Sequence, residues 1–179
     1  MASQSIVRAV HDPTDDEARG QMLLAATMAG VGFGNAGVHL PHGMSYPISG
    51  MVRDYVAKGY PPGTPLIPHG MSVTLGAPAV FRFTAPSNPD RHLHGARLMG
   101  ADVSGAGPED AGELLADALV GVMREVDIPN GLSAVGYAAE DAARLAAGAM
   151  PQHRVIKLSP RPVTEADLTQ LFLDSMTLW

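Results

Sequence analysis

Ala29-Gly30-Val31-Gly32-Phe33-Gly34-Asn35-Ala36-Gly37-Val38-His39-Leu40-Pro41-His42-Gly43-Met44 is the stretch on which the reading of the fold turns. Its glycines invite comparison with a dinucleotide-binding turn. Gly30-Val31-Gly32-Phe33-Gly34 lacks the full GxGxxG spacing, however, and no strand pattern precedes it. What precedes it is helical. Thr14-Asp15-Asp16-Glu17 has the form of a capping box, and Met22, Leu23, Ala26, Met28 and Ala29 follow at helical spacings. A helix is therefore predicted through about Gly30, with the glycine segment continuing it. Each Gly weakens a helix interior by up to ~1 kcal/mol. So many small residues point to close approach by another helix or a ligand. Asn35 to Tyr55 is predicted to run on as a helix carrying the first histidines, with Pro41 and Pro47 able to bend it.

Downstream, Lys58-Gly59-Tyr60-Pro61-Pro62-Gly63-Thr64-Pro65 is a loop, and His69 to Phe83 reads as a buried helix ended by Ala85-Pro86-Ser87-Asn88-Pro89. Asp90 to Met99 is short and amphipathic. Pro108 stands where helices start, and Leu114, Leu115, Ala118, Leu119 and Val122 form an apolar stripe to about Val126. Asn130-Gly131 is a turn, Ala138 to Gly148 an Ala-rich helix, and Thr164-Glu165-Ala166-Asp167 caps a last helix to Met176. No strand pattern is long enough to build a sheet. The predicted architecture is an all-α, multi-helix bundle, taken as one domain over 1–179.

Composition agrees. Apolar residues make up 46% of the 179 positions while aromatics are only 5%, which suits closely packed helices better than sheets. A net charge of −6 leaves no basic footprint for nucleic acid or an anionic membrane. With no Cys, a disulfide framework, a Cys-based zinc site and a Cys nucleophile are excluded. The first ten residues lack the apolar core of a signal peptide, and the longest apolar run, near Met22 to Phe33, is shorter than the ~18–20 residues that span a bilayer. A cytoplasmic protein is expected.

Two segments carry chemistry: His39-Leu40-Pro41-His42-Gly43-Met44-Ser45-Tyr46 and His69-Gly70-Met71-Ser72. Each sets His directly before Gly-Met in apolar surroundings, so two imidazoles can converge on one buried point, as a divalent transition metal requires. His39, His42 and Tyr46 share one helical face. A pair of hydrogen-bonded core histidines explains the same residues, and no acid stands beside them to complete a metal site. His92 and His94 read as solvated surface residues, His11 and His153 as groups near helix ends. Ser45 and Ser72 adjoin the histidines without an acid to orient a triad.

The run from Ala29 to Val38 leading into His42-Gly43-Met44, and then His69-Gly70, resembles the iron-containing (group III) alcohol dehydrogenases. The Val38 to Gly50 segment, the spacer before His69 and Gly131-Leu132-Ser133-Ala134-Val135-Gly136-Tyr137 resemble the hydroxyacid–oxoacid transhydrogenase branch of that family. The resemblance spans about Asp15 to the C-terminus. It implies an enzyme with an N-terminal α/β domain for NAD(P) and a C-terminal helical domain holding iron(II) or zinc on one Asp and three His. The last two of those His match His42 and His69. Many members carry another His four residues after the first of these, close to the nicotinamide; here it is Tyr46, the candidate catalytic side chain. His39 matches no ligand and is expected to support the others or pack.

The resemblance also exposes a shortage. The remaining Asp and His ligands come from an Asp-x-x-x-His segment upstream, and Asp12, Asp15 and Asp16 have no His four residues later. The chain thus looks like roughly the C-terminal two-fifths of the enzyme, without its nucleotide-binding domain and first ligand helix. The implied function is hydride transfer between an alcohol or hydroxy acid and a nicotinamide cofactor. The alternative is a non-catalytic helical domain that needs a separate N-terminal half or self-associates. Activity of the isolated chain is not expected.

Overall fold

Helix signals in the sequence translate into nine α-helices in the computed structural model, which describes residues 1–179. They are α1 Ala2–His11, α2 Asp16–Ala36, α3 Leu40–Gly50, α4 His69–Thr84, α5 Pro89–Leu98, α6 Ala111–Glu125, α7 Ala142–Ala149, α8 His153–Ile156 and α9 Glu165–Asp174. There is no strand; the nearest thing is one isolated bridge between Val56 and Leu66 in the loop between α3 and α4. The expected all-α architecture is what forms. No single helix is long and apolar enough to cross a membrane.

Caps fix several helix starts. Thr164 accepts from the Asp167 backbone N–H while Asp167 accepts from the Thr164 N–H, the reciprocal box read from the sequence. At α2 the cap is one residue later than expected: Asp15, not Thr14, accepts from Ala18 N at 2.9 Å. Asp15 also pairs with Arg8, which ties α1 to the start of α2. The first helix itself was not anticipated, because Met1 supplies no side-chain cap and the run is short.

The predicted continuity from Asn35 to Tyr55 fails. Gly37 adopts φ +77°, open to glycine at little cost, and α3 leaves α2 at an angle of 109°. Leu158 occupies the space a Gly37 side chain would need. Pro41 then falls in the first turn of α3, where a missing N–H costs nothing, so a new helix starts there. This break turns the first histidines away from the axis of α2.

The core gathers α3, α4, α7 and α9 around Leu40, Met44, Ile48, Leu75, Leu145 and Phe172, all completely buried. Leu40, Met44 and Ile48 recur every four residues and so form one stripe of α3 facing inward. At the far end of α3, the Tyr137 hydroxyl donates to the Ile48 carbonyl at 2.6 Å, one of the last carbonyls of a helix that has no partner within it. Burial pushes the Tyr137 hydroxyl up to about 12, so it stays protonated and donating. Tyr137→Phe leaves that carbonyl unpaired in the core and is expected to cost about 1–2 kcal/mol, read as a lower denaturation midpoint at unchanged slope.

A second anchor joins α7 to the segment after α3. Asp141 accepts from Ala138 N at 2.9 Å and pairs with Arg53 and with Arg144. The backbone N–H contact first, then the arginines, holds its carboxyl below the ordinary 3.8. A carboxyl with a depressed folded pKa stabilises at neutral pH, and that contribution is lost as pH falls below the unfolded value through the folded one. Thermal melts from pH 6 down to pH 2 are therefore expected to show a flatter acid limb for Asp141→Asn than for the parent chain.

The glycine-rich end of α2 departs most from expectation. A side chain at Gly30, Gly32 or Gly34 would meet nothing within 4 Å, so no helix of this chain approaches it. Of the 21 residues of α2 only Ala18 is buried. Leu23, Met28, Val31 and Phe33 stand 73%, 61%, 65% and 55% exposed.

Candidate metal centre

His-Gly-Met-Ser occurs twice, and both copies open a helix: His42 is the third residue of α3 and His69 the first of α4. In each copy the serine hydroxyl donates back to the histidine carbonyl, Ser45 to His42 at 2.7 Å and Ser72 to His69 at 2.8 Å. The two first turns are thus built alike. The loop between them is folded back by Ala57 N to Leu66 O and Leu66 N to Tyr55 O, and buried Ile67 fixes the approach to α4. The result is that the imidazoles of His42 and His69 face each other with ring centroids 5.5 Å apart, tilted by 59°.

Two imidazoles sharing one ion at ~2.1 Å metal–nitrogen distance have centroids roughly 5 Å apart. The observed pair fits that requirement. Its electrostatics fit as well: burial, then the nearby His69, pushes the His42 imidazole below its ordinary 6.5. The neutral ring is the coordinating form. The same residues cannot complete a centre, since no group of three or more His, Cys, Asp or Glu is placed to hold an ion. Of Asp12, Asp15 and Asp16, the acids considered from sequence, two are occupied elsewhere, Asp12 with Thr14 and Asp15 with Arg8 and the α2 cap.

Around the pair, His39 lies just before α3 in an apolar groove with Val38, Val73, Ala77 and Phe81. Its Nδ1 is buried with no hydrogen-bond partner, and burial, then His42 and His92, lowers its pKa. Tyr46 is one turn beyond His42, 40% exposed, its hydroxyl oxygen accepting from the Arg154 guanidinium at 3.0 Å. His92 is not the solvated surface residue expected. It is half-buried, bonded to Thr84 and the Asn88 carbonyl, and set edge-on to Phe81. His11 does sit at a helix end, 2.6 Å from the Glu125 carbonyl. The sequence reading overlooked Arg154. The available signal was the run from Ala142 to Thr164, which holds Arg144, His153, Arg154, Lys157 and Arg161 but no acid.

The pattern of the Fe-containing alcohol dehydrogenase family, C-terminal part, matches residues 1–176. The chain belongs to the iron-containing alcohol dehydrogenase family. The likeness begins at the first residue, not at Asp15 as the motifs alone suggested. Over its full length the chain is 56% identical to a probable mitochondrial hydroxyacid-oxoacid transhydrogenase of Dictyostelium discoideum, of which it covers 33%. It is 52% identical to the mitochondrial hydroxyacid-oxoacid transhydrogenase of Homo sapiens, covering 38% of that protein. The chain therefore spans little more than a third of the curated relatives it matches. Among solved structures, an alcohol dehydrogenase from Oenococcus oeni superposes with a TM-score of 0.84 at 26% identity, over 97% of this chain and 42% of that one. A 1,3-propanediol oxidoreductase with the same TM-score and 24% identity shares the fold.

Membership means that iron and NAD(P) belong to the complete enzymes of this family. The relatives also correct the cytoplasmic expectation, because the matched transhydrogenases are named as mitochondrial proteins. The expectation rested on the absence of a leader from these residues. A segment matching only a third of its relatives carries no information about a leader.

Proposed function

We propose that residues 1–179 are the helical, metal-binding part of a hydroxyacid–oxoacid transhydrogenase, which moves hydride between a hydroxy acid and a nicotinamide cofactor. The observation that carries this reading is the His42–His69 pair, two imidazoles with ring centroids 5.5 Å apart at the openings of α3 and α4 in a chain of this family. His42 and His69 are two of the metal ligands. The rest of the ligand set and the nucleotide site come from polypeptide outside these residues. Bound there, iron(II) or zinc supplies Lewis acidity to the substrate hydroxyl. Imidazole suits either metal.

The chain's own residues then have separable tasks. Ser45 and Ser72 hold the two first turns, and hence the ring positions. Burial, then the neighbouring His69, lowers the His42 pKa, which favours the uncharged form that coordinates. His39 lines the apolar groove beside His42 and is assigned a supporting role. Tyr46 borders the same face of α3 one turn on, and is assigned to contact the substrate.

The test joins residues 1–179 to the upstream two-thirds of a transhydrogenase relative. The joined protein is expected to bind one metal per chain and to oxidise 4-hydroxybutyrate with NAD. Metal-free or inactive protein, correctly folded, contradicts the reading.

The exposed face of α2 favours a second reading. Leu23, Leu24, Met28, Val31 and Phe33 present apolar surface that nothing in this chain covers. A separate polypeptide carrying the remaining half would bury it, making this chain one subunit of a split enzyme or a non-catalytic helical partner. Co-expression with the upstream half as a separate chain distinguishes the cases: a stable complex supports it, and failure to copurify removes it.

A further inference from the structure

Hydroxy acids and oxo acids, unlike simple alcohols, carry a carboxylate that needs its own partner in the site. Most arginines near the core are already committed. Arg8, Arg53, Arg82 and Arg144 pair with acids, and Arg161 donates to the Phe83 carbonyl while stacking on the Phe83 ring at 4.0 Å. Arg154 is different. It is exposed, makes no ion pair, and gives one N–H to the Tyr46 hydroxyl oxygen at 3.0 Å.

Its position is set by packing. Gly43, next to His42, leaves room for Val155 and Ile156, so α8 lies directly against the first turns of α3. That contact holds Arg154 beside Tyr46. Along α3, Tyr46 is four residues or about 6 Å beyond His42 and on the same face. That separation is of the order of a short-chain hydroxy acid. The stretch that carries Arg154 is basic in sequence: residues 142–164 contain Arg144, His153, Arg154, Lys157 and Arg161 without one Asp or Glu, in a chain of net charge −6, although Arg144 is paired with Asp141.

The geometry points to Tyr46 and Arg154 as the pair that binds the substrate carboxylate, setting acid against alcohol specificity. This rests on the reading of His42 and His69 as the metal-side ligands. Because Arg154 donates to the phenol oxygen, the phenol O–H is left to donate outward. A guanidinium has five N–H donors, so Arg154 keeps others for a second carboxylate oxygen. Two parallel, charge-assisted donors are the arrangement that carboxylates favour. Neutral alcohols gain nothing from it.

The experiment uses the metal-loaded protein in which residues 1–179 are joined to the upstream part of a transhydrogenase relative. Arg154→Gln is expected to raise the KM for 4-hydroxybutyrate at least tenfold, as loss of a charge-assisted hydrogen bond does, with kcat changed much less. The KM values for 1-butanol and NAD are expected to stay within about twofold of the parent, again on the scale of a single lost contact. Arg154→Lys should recover part of the loss, and Tyr46→Phe should show a smaller rise. Calorimetric titration with butyrate, a carboxylate that cannot react, should show binding weakened by a similar factor in Arg154→Gln, while butyramide binds poorly to both. Equal shifts for 4-hydroxybutyrate and 1-butanol, a shift confined to NAD, or unchanged butyrate binding would each overturn the proposal. Failure of the metal-site reading shows differently, as an unmutated protein without metal or turnover. In that case the butyrate titration still decides the role of Arg154.

Discussion

His42→Ala in the joined protein is expected to lower metal affinity by more than about 100-fold and to remove activity with it. Loss of a partner that merely orients a ligand already costs about 10–100-fold, and His42 is proposed as a ligand itself. The imidazole is half-buried at the start of α3 and faces His69 across 5.5 Å. Alanine removes the donor without disturbing the helix opening, because Ser45 bonds to the His42 main-chain carbonyl, which alanine retains. His69→Ala should behave alike. His39→Ala should not: its Nδ1 has no partner and no place in the ligand pair, so metal content is expected to stay with a modest change in stability. Metal analysis of the three purified variants, with circular dichroism to confirm folding, separates these outcomes. Retention of full metal by His42→Ala would place the centre elsewhere.

The second large effect is on folding. Phe172 on α9 is completely buried in the core, and Phe172→Ala is expected to cost about 3–5 kcal/mol. Against a typical 5–15 kcal/mol for a domain, that leaves little stability. Phe33 makes the contrasting case. It stands 55% exposed on α2, so Phe33→Ala should change the stability of this chain by no more than about 0.5 kcal/mol. Urea denaturation of both variants reads the difference. If Phe33→Ala proved as costly as Phe172→Ala, α2 would have to be packed rather than open.

That pair of phenylalanines shows where sequence reading reached its limit. Helix periodicity and caps are local, so Thr164-Glu165-Ala166-Asp167 and the Leu114–Val122 stripe located α9 and α6 correctly. The end of α4 at Thr84 was similarly legible from the Pro-rich turn after it. The separation of α2 from α3 was not, because it depends on Gly37 adopting a positive φ, which a run of several glycines does not single out. Nor does an apolar helix announce what covers it. The glycines of α2 suggested close approach by a helix or ligand, and no part of this chain comes within 4 Å of where their side chains would be.

The site was legible in part for the same reason. The repeated His-Gly-Met segments marked His42 and His69, and resemblance gave them a role. Their 5.5 Å approach needed the loop from Met51 to Pro68 to fold back, which no local pattern specifies. The basic run from Ala142 to Thr164 hinted at Arg154, but its pairing with Tyr46 was not legible, because the two are distant in sequence and joined only through the packing of α8 on Gly43.

The claim at the centre of this account is that the metal site is shared between His42 and His69 and polypeptide outside residues 1–179. Titration with iron(II) or zinc, comparing this chain alone with the chain joined to the upstream part of a relative, tests it most directly. The account predicts weak binding by the chain alone and tight, one-to-one binding by the joined protein. Tight one-to-one binding by the chain alone would contradict it.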